Sequence, residues 1–296
     1  MRITFYKYEG AGNDFIIIDN RNKKLKENNY ALWAKLCDRR FGIGADGLML
    51  LQNKKGYDFE MYYVNADGKP TSMCGNGGRC IAHFAKSIGA IKSNSTHFIA
   101  IDGEHEATIK GNIVKLKMKD VNAIETEFEV KAEMGRSAKG TPFPLATTPE
   151  VASAAQRVRA TRDYCIVNTG SPHYVTFVKD AMKTDVYTEG KNIRNSKRFK
   201  KEGINVNFVQ VQKGKPALMR TYERGVEDET LACGTGTVAT ALVLASKGLA
   251  TAKNYCNIKT RGGNLKVWFK MGSKSKFTDV YLEGPATFVY SGEIEI

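Results

Sequence analysis

Short apolar runs, some alternating and some continuous, recur along this chain between clusters of glycine, asparagine and aspartate. Runs of that length and spacing predict strands. Residues 1–6 read as an opening strand. Leu48-Met49-Leu50-Leu51 and Asp58-Phe59-Glu60-Met61-Tyr62-Tyr63-Val64 read as two more, and 113–118, 164–168, 207–211, 280–282 and 287–290 follow. Three stretches switch to helical periodicity. One is an amphipathic segment over 30–40. A second follows Cys74 and runs to about Ile88, with Ile81, Phe84, Ala85 and Ile88 on one face. The third follows Cys233 and is apolar nearly all round (Val238, Ala239, Ala241, Leu242, Val243, Leu244, Ala245), the mark of a buried helix. The fold class expected is α+β: mostly strands, with one main helix in each half.

The two main helices begin alike. Met73-Cys74-Gly75-Asn76-Gly77-Gly78 opens one and Ala232-Cys233-Gly234-Thr235-Gly236-Thr237 the other. Each cysteine is followed 15 residues later by a glycine, Gly89 and Gly248. Other landmarks repeat at nearly the same offset. Gly12 (in Ala11-Gly12-Asn13-Asp14) and Gly170 (in Thr169-Gly170-Ser171-Pro172-His173) are 158 apart, and the two cysteines 159. Asn65-Ala66-Asp67-Gly68 loosely matches Tyr222-Glu223-Arg224-Gly225. This pattern argues for an internal duplication, although residue identity between the halves is low.

Composition narrows the class. Hydrophobic content of 42% and charged content of 26% are those of a globular protein. No apolar run is long enough to cross a bilayer and residues 1–6 do not read as a leader, so a cytoplasmic chain with no membrane partner is expected. Six cysteines without a CxxC pair, and only four histidines, give neither a disulfide scaffold nor a metal site. The net charge of +14 invites a nucleic-acid reading, but the lysines are scattered and no aromatic-interleaved signature accompanies them. Gly42-Ile43-Gly44-Ala45-Asp46-Gly47 matches GxGxxG formally. It follows a helical stretch and precedes a strand, the reverse of a dinucleotide-binding turn. Residues 132–162, rich in Ala, Thr, Arg and Pro, read as a surface insertion or interdomain linker.

Cys-Gly-x-Gly at a helix start has a chemical use. The first backbone N–H groups of a helix lack internal partners, and the helix dipole adds partial positive charge. Such a terminus holds a carboxylate and favours thiolate in a nearby cysteine. Two of them aimed at one amino acid would place its α-carbon between two sulfurs. One thiolate would remove the α-proton and the opposite thiol would return another, inverting the centre. Small buried hydrophobes are the commoner fate of cysteine, and thiol-redox chemistry is a further reading that the missing CxxC disfavours.

Taken together, Gly12-Asn13-Asp14-Phe15, Asn65-Ala66-Asp67-Gly68, Cys74-Gly75-Asn76-Gly77, Gly170-Ser171-Pro172-His173, Tyr222-Glu223-Arg224-Gly225 and Ala232-Cys233-Gly234-Thr235-Gly236 resemble the diaminopimelate epimerase family, in the family's order and over nearly the whole chain. The resemblance implies a cofactor-independent epimerase, working without pyridoxal phosphate. It would interconvert LL- and meso-2,6-diaminopimelate in lysine and peptidoglycan synthesis. It implies two similar lobes, each a curved sheet around a central helix, with the small-molecule substrate between them, and commonly a homodimer. The corresponding partition is 1–128 for the first lobe, completed by strands over 279–296, then 129–163 as insertion, and 164–278 for the second lobe.

Carried over by motif, Cys74 and Cys233 are the acid/base thiols, with His173 and Glu223 polarising them. Gly75, Asn76, Gly234 and Thr235 bind the reacting carboxylate, and Glu223 also meets the α-amino group. Arg224, Asn65 and Asn205 hold the distal end, and Asn13 is a further pocket residue. The family often has asparagine where this chain has Ser171, which also falls near the substrate, and glutamine where it has Gly47. A racemase or isomerase of the same fold acting on another amino acid, and a basic binding protein without chemistry, are the alternatives.

Overall fold

The computed structural model describes residues 1–128 and 163–296. The segment expected to be an insertion, 132–162, lies outside the described residues. The first half runs β1 (Arg2–Gly10), β2 (Asn13–Asp19), α1 (Tyr30–Cys37), β3 (Gly47–Gln52), β4 (Phe59–Asn65), α2 (Gly75–Ser87), β5 (Ser95–Ala100), β6 (Gly103–Lys110), β7 (Ile113–Lys117) and β8 (Glu125–Phe128). The second runs β9 (Asp163–Asn168), β10 (Pro172–Phe177), α3 (Val186–Arg194), β11 (Asn205–Gln210), β12 (Ala217–Glu223), β13 (Asp228–Thr230), α4 (Gly234–Ser246), β14 (Tyr255–Thr260), β15 (Gly263–Met271), β16 (Phe277–Pro285) and β17 (Thr287–Glu295).

Strand pairing repeats between the halves. β1/β2 is antiparallel, β2/β3 parallel, β3/β4 antiparallel, β4/β5 parallel, and β5/β6 and β6/β7 antiparallel. β9/β10, β10/β11, β11/β12, β12/β14, β14/β15 and β15/β16 follow the same series of directions. β7 pairs with β16 and joins the two arrays. The last strand of each half crosses over: β8 pairs with β9, and β17 with β1.

Each array surrounds one helix. α2 packs against β1, β2, β3, β6, β7 and β16, and α4 against β9, β10, β11, β12, β14, β15 and β16. Phe15, Met49, Leu116, Leu242, Val267 and Leu282 belong to the continuous core around them. α4 is buried on every side, as its apolar sequence requires. Both helices end the same way. Gly89 (φ +70°) and Gly248 (φ +71°) take the left-handed conformation. Gly89 N–H donates to Lys86 and Ala90 N–H to Ala85; Gly248 N–H donates to Ala245 and Leu249 N–H to Leu244. These are Schellman caps, and they explain the matched glycine spacing. No described helix is long and apolar enough to cross a membrane.

Two local expectations are corrected. The helix expected over 30–40 stops at Cys37, because Asp38 is extended and its carboxylate accepts from the N–H groups of Arg40 and Phe41 at 2.7 Å, closing a turn. α3 was not expected, because its apolar side is short: Val186, Gly190 and Ile193 at i, i+4, i+7. It is started by Asp185, whose side chain accepts from Thr188 N–H at 3.1 Å.

Candidate active site

Cys74 and Cys233 are the residues immediately before α2 and α4, both with extended backbone. The glycines that follow let the two helix starts meet. A Cβ on Gly234 would lie 3.3 Å from the Gly75 Cα and 3.5 Å from the Asn76 nitrogen. Leu282 sits beneath both glycines, 3.1 Å and 3.2 Å from the positions their Cβ atoms would take. Two helix N-termini therefore converge on one point, with their backbone N–H groups and dipoles directed at it. The cleft in front of them measures about 970 Å³. Such a point favours a carboxylate.

The Cys74 sulfur lies 3.5 Å from Oδ1 of Asn13, a residue on β2. The Asn13 amide is oriented by Asp46, whose carboxylate accepts from Asn13 Nδ2 at 2.5 Å. Arg39 in turn binds Asp46 (2.7 Å) and Asp14 (2.6 Å), and Lys7 binds Asp14 at 2.8 Å. Because a carboxylate only accepts, the oxygen of Asn13 is left facing the thiol. Burial pushes the Cys74 thiol up, against hydrogen bonds from the backbone N–H groups of Gly77 and Asn76. Burial also pushes Cys233 up, strongly, and the Glu223 charge adds to it. Both groups are therefore thiols at neutral pH.

Glu223 closes β12. Its carboxyl accepts from the Thr230 hydroxyl at 2.9 Å and from the Cys233 thiol, and burial raises its pKa. His173 is fully buried under the cleft, and burial, with the Arg224 charge, lowers it to about 3. It is neutral, and its tautomer follows from its neighbours. Asn207 Nδ2 donates to the Tyr174 carbonyl (3.1 Å), which fixes the amide, and also to His173 Nδ1 (3.1 Å). The ring proton is thereby assigned to Nε2, which faces the hydroxyls of Ser171 and Thr235 at 3.0 Å each. Thr235 Oγ1 is 3.5 Å from the Cys233 sulfur, so His173 reaches that thiol through a hydroxyl.

Further along the cleft, Asn205 is fully engaged. Its Nδ2 donates to the Pro172 carbonyl (3.1 Å) and Ser171 Oγ (3.3 Å), and its Oδ1 accepts from the Arg224 N–H at 2.9 Å. Arg224 is exposed at the cleft and spends one N–H on the Glu202 carbonyl at 2.8 Å. Gly203 (φ +73°) makes room for it, since a Cβ there would lie 2.6 Å from the Arg224 Cδ. Asn65 ends β4 in a turn closed by Gly68, and faces the same cleft.

Thus Asn13, Asn65, Cys74, Gly75, Ser171, Asn205, Glu223, Arg224, Cys233, Gly234 and Thr235 line one cleft. Asn76 and His173 lie beneath it: the Asn76 side chain donates to the Ala232 carbonyl at 3.0 Å, tying α2 to the turn before Cys233. Sequence reasoning missed Asp46 and Tyr63, which also line the cleft, and Asn207 behind His173. Gly47 has a structural reason. A Cβ there would lie 2.6 Å from the Tyr63 ring and from the Val64 carbonyl, so Tyr63 fills the space a longer side chain would need.

Comparison with known proteins gives one answer. The family model described as diaminopimelate epimerase matches residues 5–133 and 165–289. The chain is 45% identical to the diaminopimelate epimerase of Flavobacterium psychrophilum, over 99% of this chain and all of that one. It is 40% identical to that of Chlorobaculum tepidum, over 97% and 99%. Among solved structures it resembles a PhzF-family phenazine biosynthesis protein of Bacillus anthracis (TM-score 0.70, 14% identity, 100% of both chains). It also resembles a hydroxyproline epimerase of Agrobacterium vitis (TM-score 0.64, 10% identity, 99% and 92%). At those identities the two structures speak for the fold alone. With its sheet-wrapped helix pair and its paired cysteines, the chain belongs to the diaminopimelate epimerase family.

Proposed function

We propose that this protein epimerises LL-2,6-diaminopimelate to the meso isomer, without pyridoxal phosphate, by proton exchange between Cys74 and Cys233. The single observation that carries the reading is the meeting of two cysteine-capped helix starts across one cleft. The reacting α-carboxylate sits on the N–H groups of Gly75, Asn76, Gly234 and Thr235. Glu223 takes the α-ammonium group. One cysteine, as thiolate, removes the α-proton; the other, as thiol, returns a proton to the opposite face. Negative charge grows on the carboxylate during proton removal, where fixed N–H dipoles stabilise it without reorganising.

Both sulfurs carry protons at neutral pH, so the one that acts as base must first give its proton up. That proton passes to solvent from the thiol acting as base, while Glu223, which accepts from the Cys233 thiol, holds the proton on that sulfur. Neutral His173, with its proton on Nε2, holds the Ser171 and Thr235 hydroxyls and, through Thr235, orients Cys233. Arg224 and Asn65 hold the distal amino-carboxylate, and Asn13, with its oxygen on the Cys74 thiol, stands at the reacting end. Asn205 acts by fixing the Arg224 turn, and Ser171 by joining Asn205 to His173.

We also propose a cytoplasmic homodimer. β17 pairs along one side with β1 and carries exposed Phe288, Val289 and Tyr290. A second copy would cover that apolar strand. Sedimentation of the intact chain measures the stoichiometry. The activity is tested by incubating purified, reduced protein with LL-diaminopimelate and separating the stereoisomers. Conversion to meso without added cofactor is expected; failure to convert LL-diaminopimelate overturns the assignment.

A further inference from the structure

One buried charge next to this site has no role so far. Arg79 lies in the second turn of α2 and is fully buried. Its guanidinium donates to three neutral oxygens: the Gly75 carbonyl (3.0 Å), Asn76 Oδ1 (3.1 Å) and the Pro285 carbonyl (3.3 Å). No carboxylate forms an ion pair with it among the described residues. Glu9, the carboxylate whose charge reaches it, spends an oxygen on the Gly12 N–H at 2.9 Å. Two glycines pack against the side chain. A Cβ on Gly284 would lie 3.3 Å from Arg79 Nε, and one on Gly10 would lie 3.5 Å from Nη2.

A buried cation without a counter-ion is expensive to keep, and guanidinium does not neutralise by losing its proton. It is tolerable where anions arrive. Arg79 grips both Gly75 and Asn76, the two residues of α2 assigned to the carboxylate. The duplicated device is unequal here. Arg79 stands five residues after Cys74, and the residue five after Cys233 is Val238, also fully buried.

We propose that Arg79 is a positioning residue that puts a permanent positive charge under the α2 side of the carboxylate cradle and makes Cys74, not Cys233, the thiol that ionises first. The proposal rests on the two-thiol reading above. Its geometry agrees with the surrounding charges. Glu223 is the principal charge on both sulfurs and holds the proton on; the Arg79 charge works against it at Cys74 and is not among the charges acting on Cys233. The other titratable groups facing Cys74 are Glu223 on β12, Tyr63 on β4, Cys80 on α2 and Cys233 just before α4; those facing Arg79 are Cys80 on α2 and Glu9 on β1. None is altered by the substitutions below.

The test compares wild type, Arg79→Lys and Arg79→Met in the full-length protein. Methionine keeps much of the volume, and replacing a buried charge by a packed apolar side chain is often neutral for folding; lysine keeps the charge. Two readouts are taken: kcat/KM for LL-diaminopimelate, and the pH dependence of iodoacetamide alkylation at Cys74 and Cys233, resolved by peptide mass spectrometry. With Arg79→Met, kcat/KM is expected to fall about 10- to 100-fold, the scale of one charge acting over roughly a helical turn. Cys74 should alkylate about tenfold more slowly near pH 8, and Cys233 should change less. Arg79→Lys should recover most of both. Unchanged Cys74 alkylation in a folded Arg79→Met, or equal losses in both variants, would overturn the proposal. A wild type that does not epimerise but shows the predicted alkylation order would overturn the two-thiol reading and leave the role of Arg79 in place.

Discussion

Gly75 and Gly234 approach so closely that a Cβ on the second would stand 3.3 Å from the Cα of the first. Neither position has room for a side chain, because Leu282 closes the space below both. The distance between the two helix starts, and hence between the sulfurs and a carbon held between them, is set by this contact. Gly234→Ala should spread the helices by a few tenths of an ångström and lower kcat/KM about 10- to 100-fold, since small misplacements at a reacting centre are that costly. Far-UV circular dichroism should be unchanged. Adding Leu282→Ala should restore part of the activity by letting the helices settle. Full activity in Gly234→Ala would show that the spacing is not critical.

Glu223 trades stability for chemistry. Burial raises its pKa in the folded protein, so ionising it costs more there than in the unfolded chain. For a carboxyl with a raised folded pKa, the native state carries that cost at pH values above the unfolded pKa, and no cost where both states are protonated. Glu223→Gln should therefore raise Tm by a few degrees at neutral pH, with the difference shrinking as pH falls toward about 4.5. Activity should fall at least 100-fold. Thermal melts across that range, beside the kinetics, check both signs; a variant less stable at pH 7 than wild type contradicts the burial argument.

Arg224 is exposed in the cleft with no carboxylate bound to it among the described residues, as a residue awaiting a ligand carboxylate would be. Arg224→Ala should raise KM for diaminopimelate about 10- to 100-fold, the worth of one charge-assisted hydrogen-bonding group. The slow α-proton exchange of an amino acid lacking the second amino-carboxylate should be unaffected. Equal loss on both substrates would move Arg224 from the distal end to the reacting end.

The sequence carried the parts of this site that depend on local rules. Cys-Gly-x-Gly predicts a helix start, and Gly89 and Gly248 predict its end, because a left-handed cap needs glycine. The strand after Gly47 followed from its continuous apolar run. What depends on distant packing was not legible. Nothing local says that β8 pairs with β9 in the opposite half, and that C-terminal strands join the first lobe was expected only from the family resemblance. α3 has a short apolar side, Val186 and Ile193, that is easily missed among polar residues, so its Asp185 cap is the clearer local signal. Nothing in the sequence singles out Arg79 or Asn207; only their burial gives them meaning. Gly47 looked like a missing substrate contact until Tyr63 was seen to occupy its space.

The central claim is that two thiols on opposite faces exchange the proton. The most direct measurement follows LL-diaminopimelate by proton NMR in D₂O with the reduced protein, beside Cys74→Ala and Cys233→Ala. With two bases, deuterium should appear at the inverted carbon of meso product early in the reaction, while unconverted LL substrate keeps its protons. Each alanine variant should lose epimerisation. Deuterium entering unconverted substrate as fast as product, or epimerisation surviving in either variant, would contradict the account.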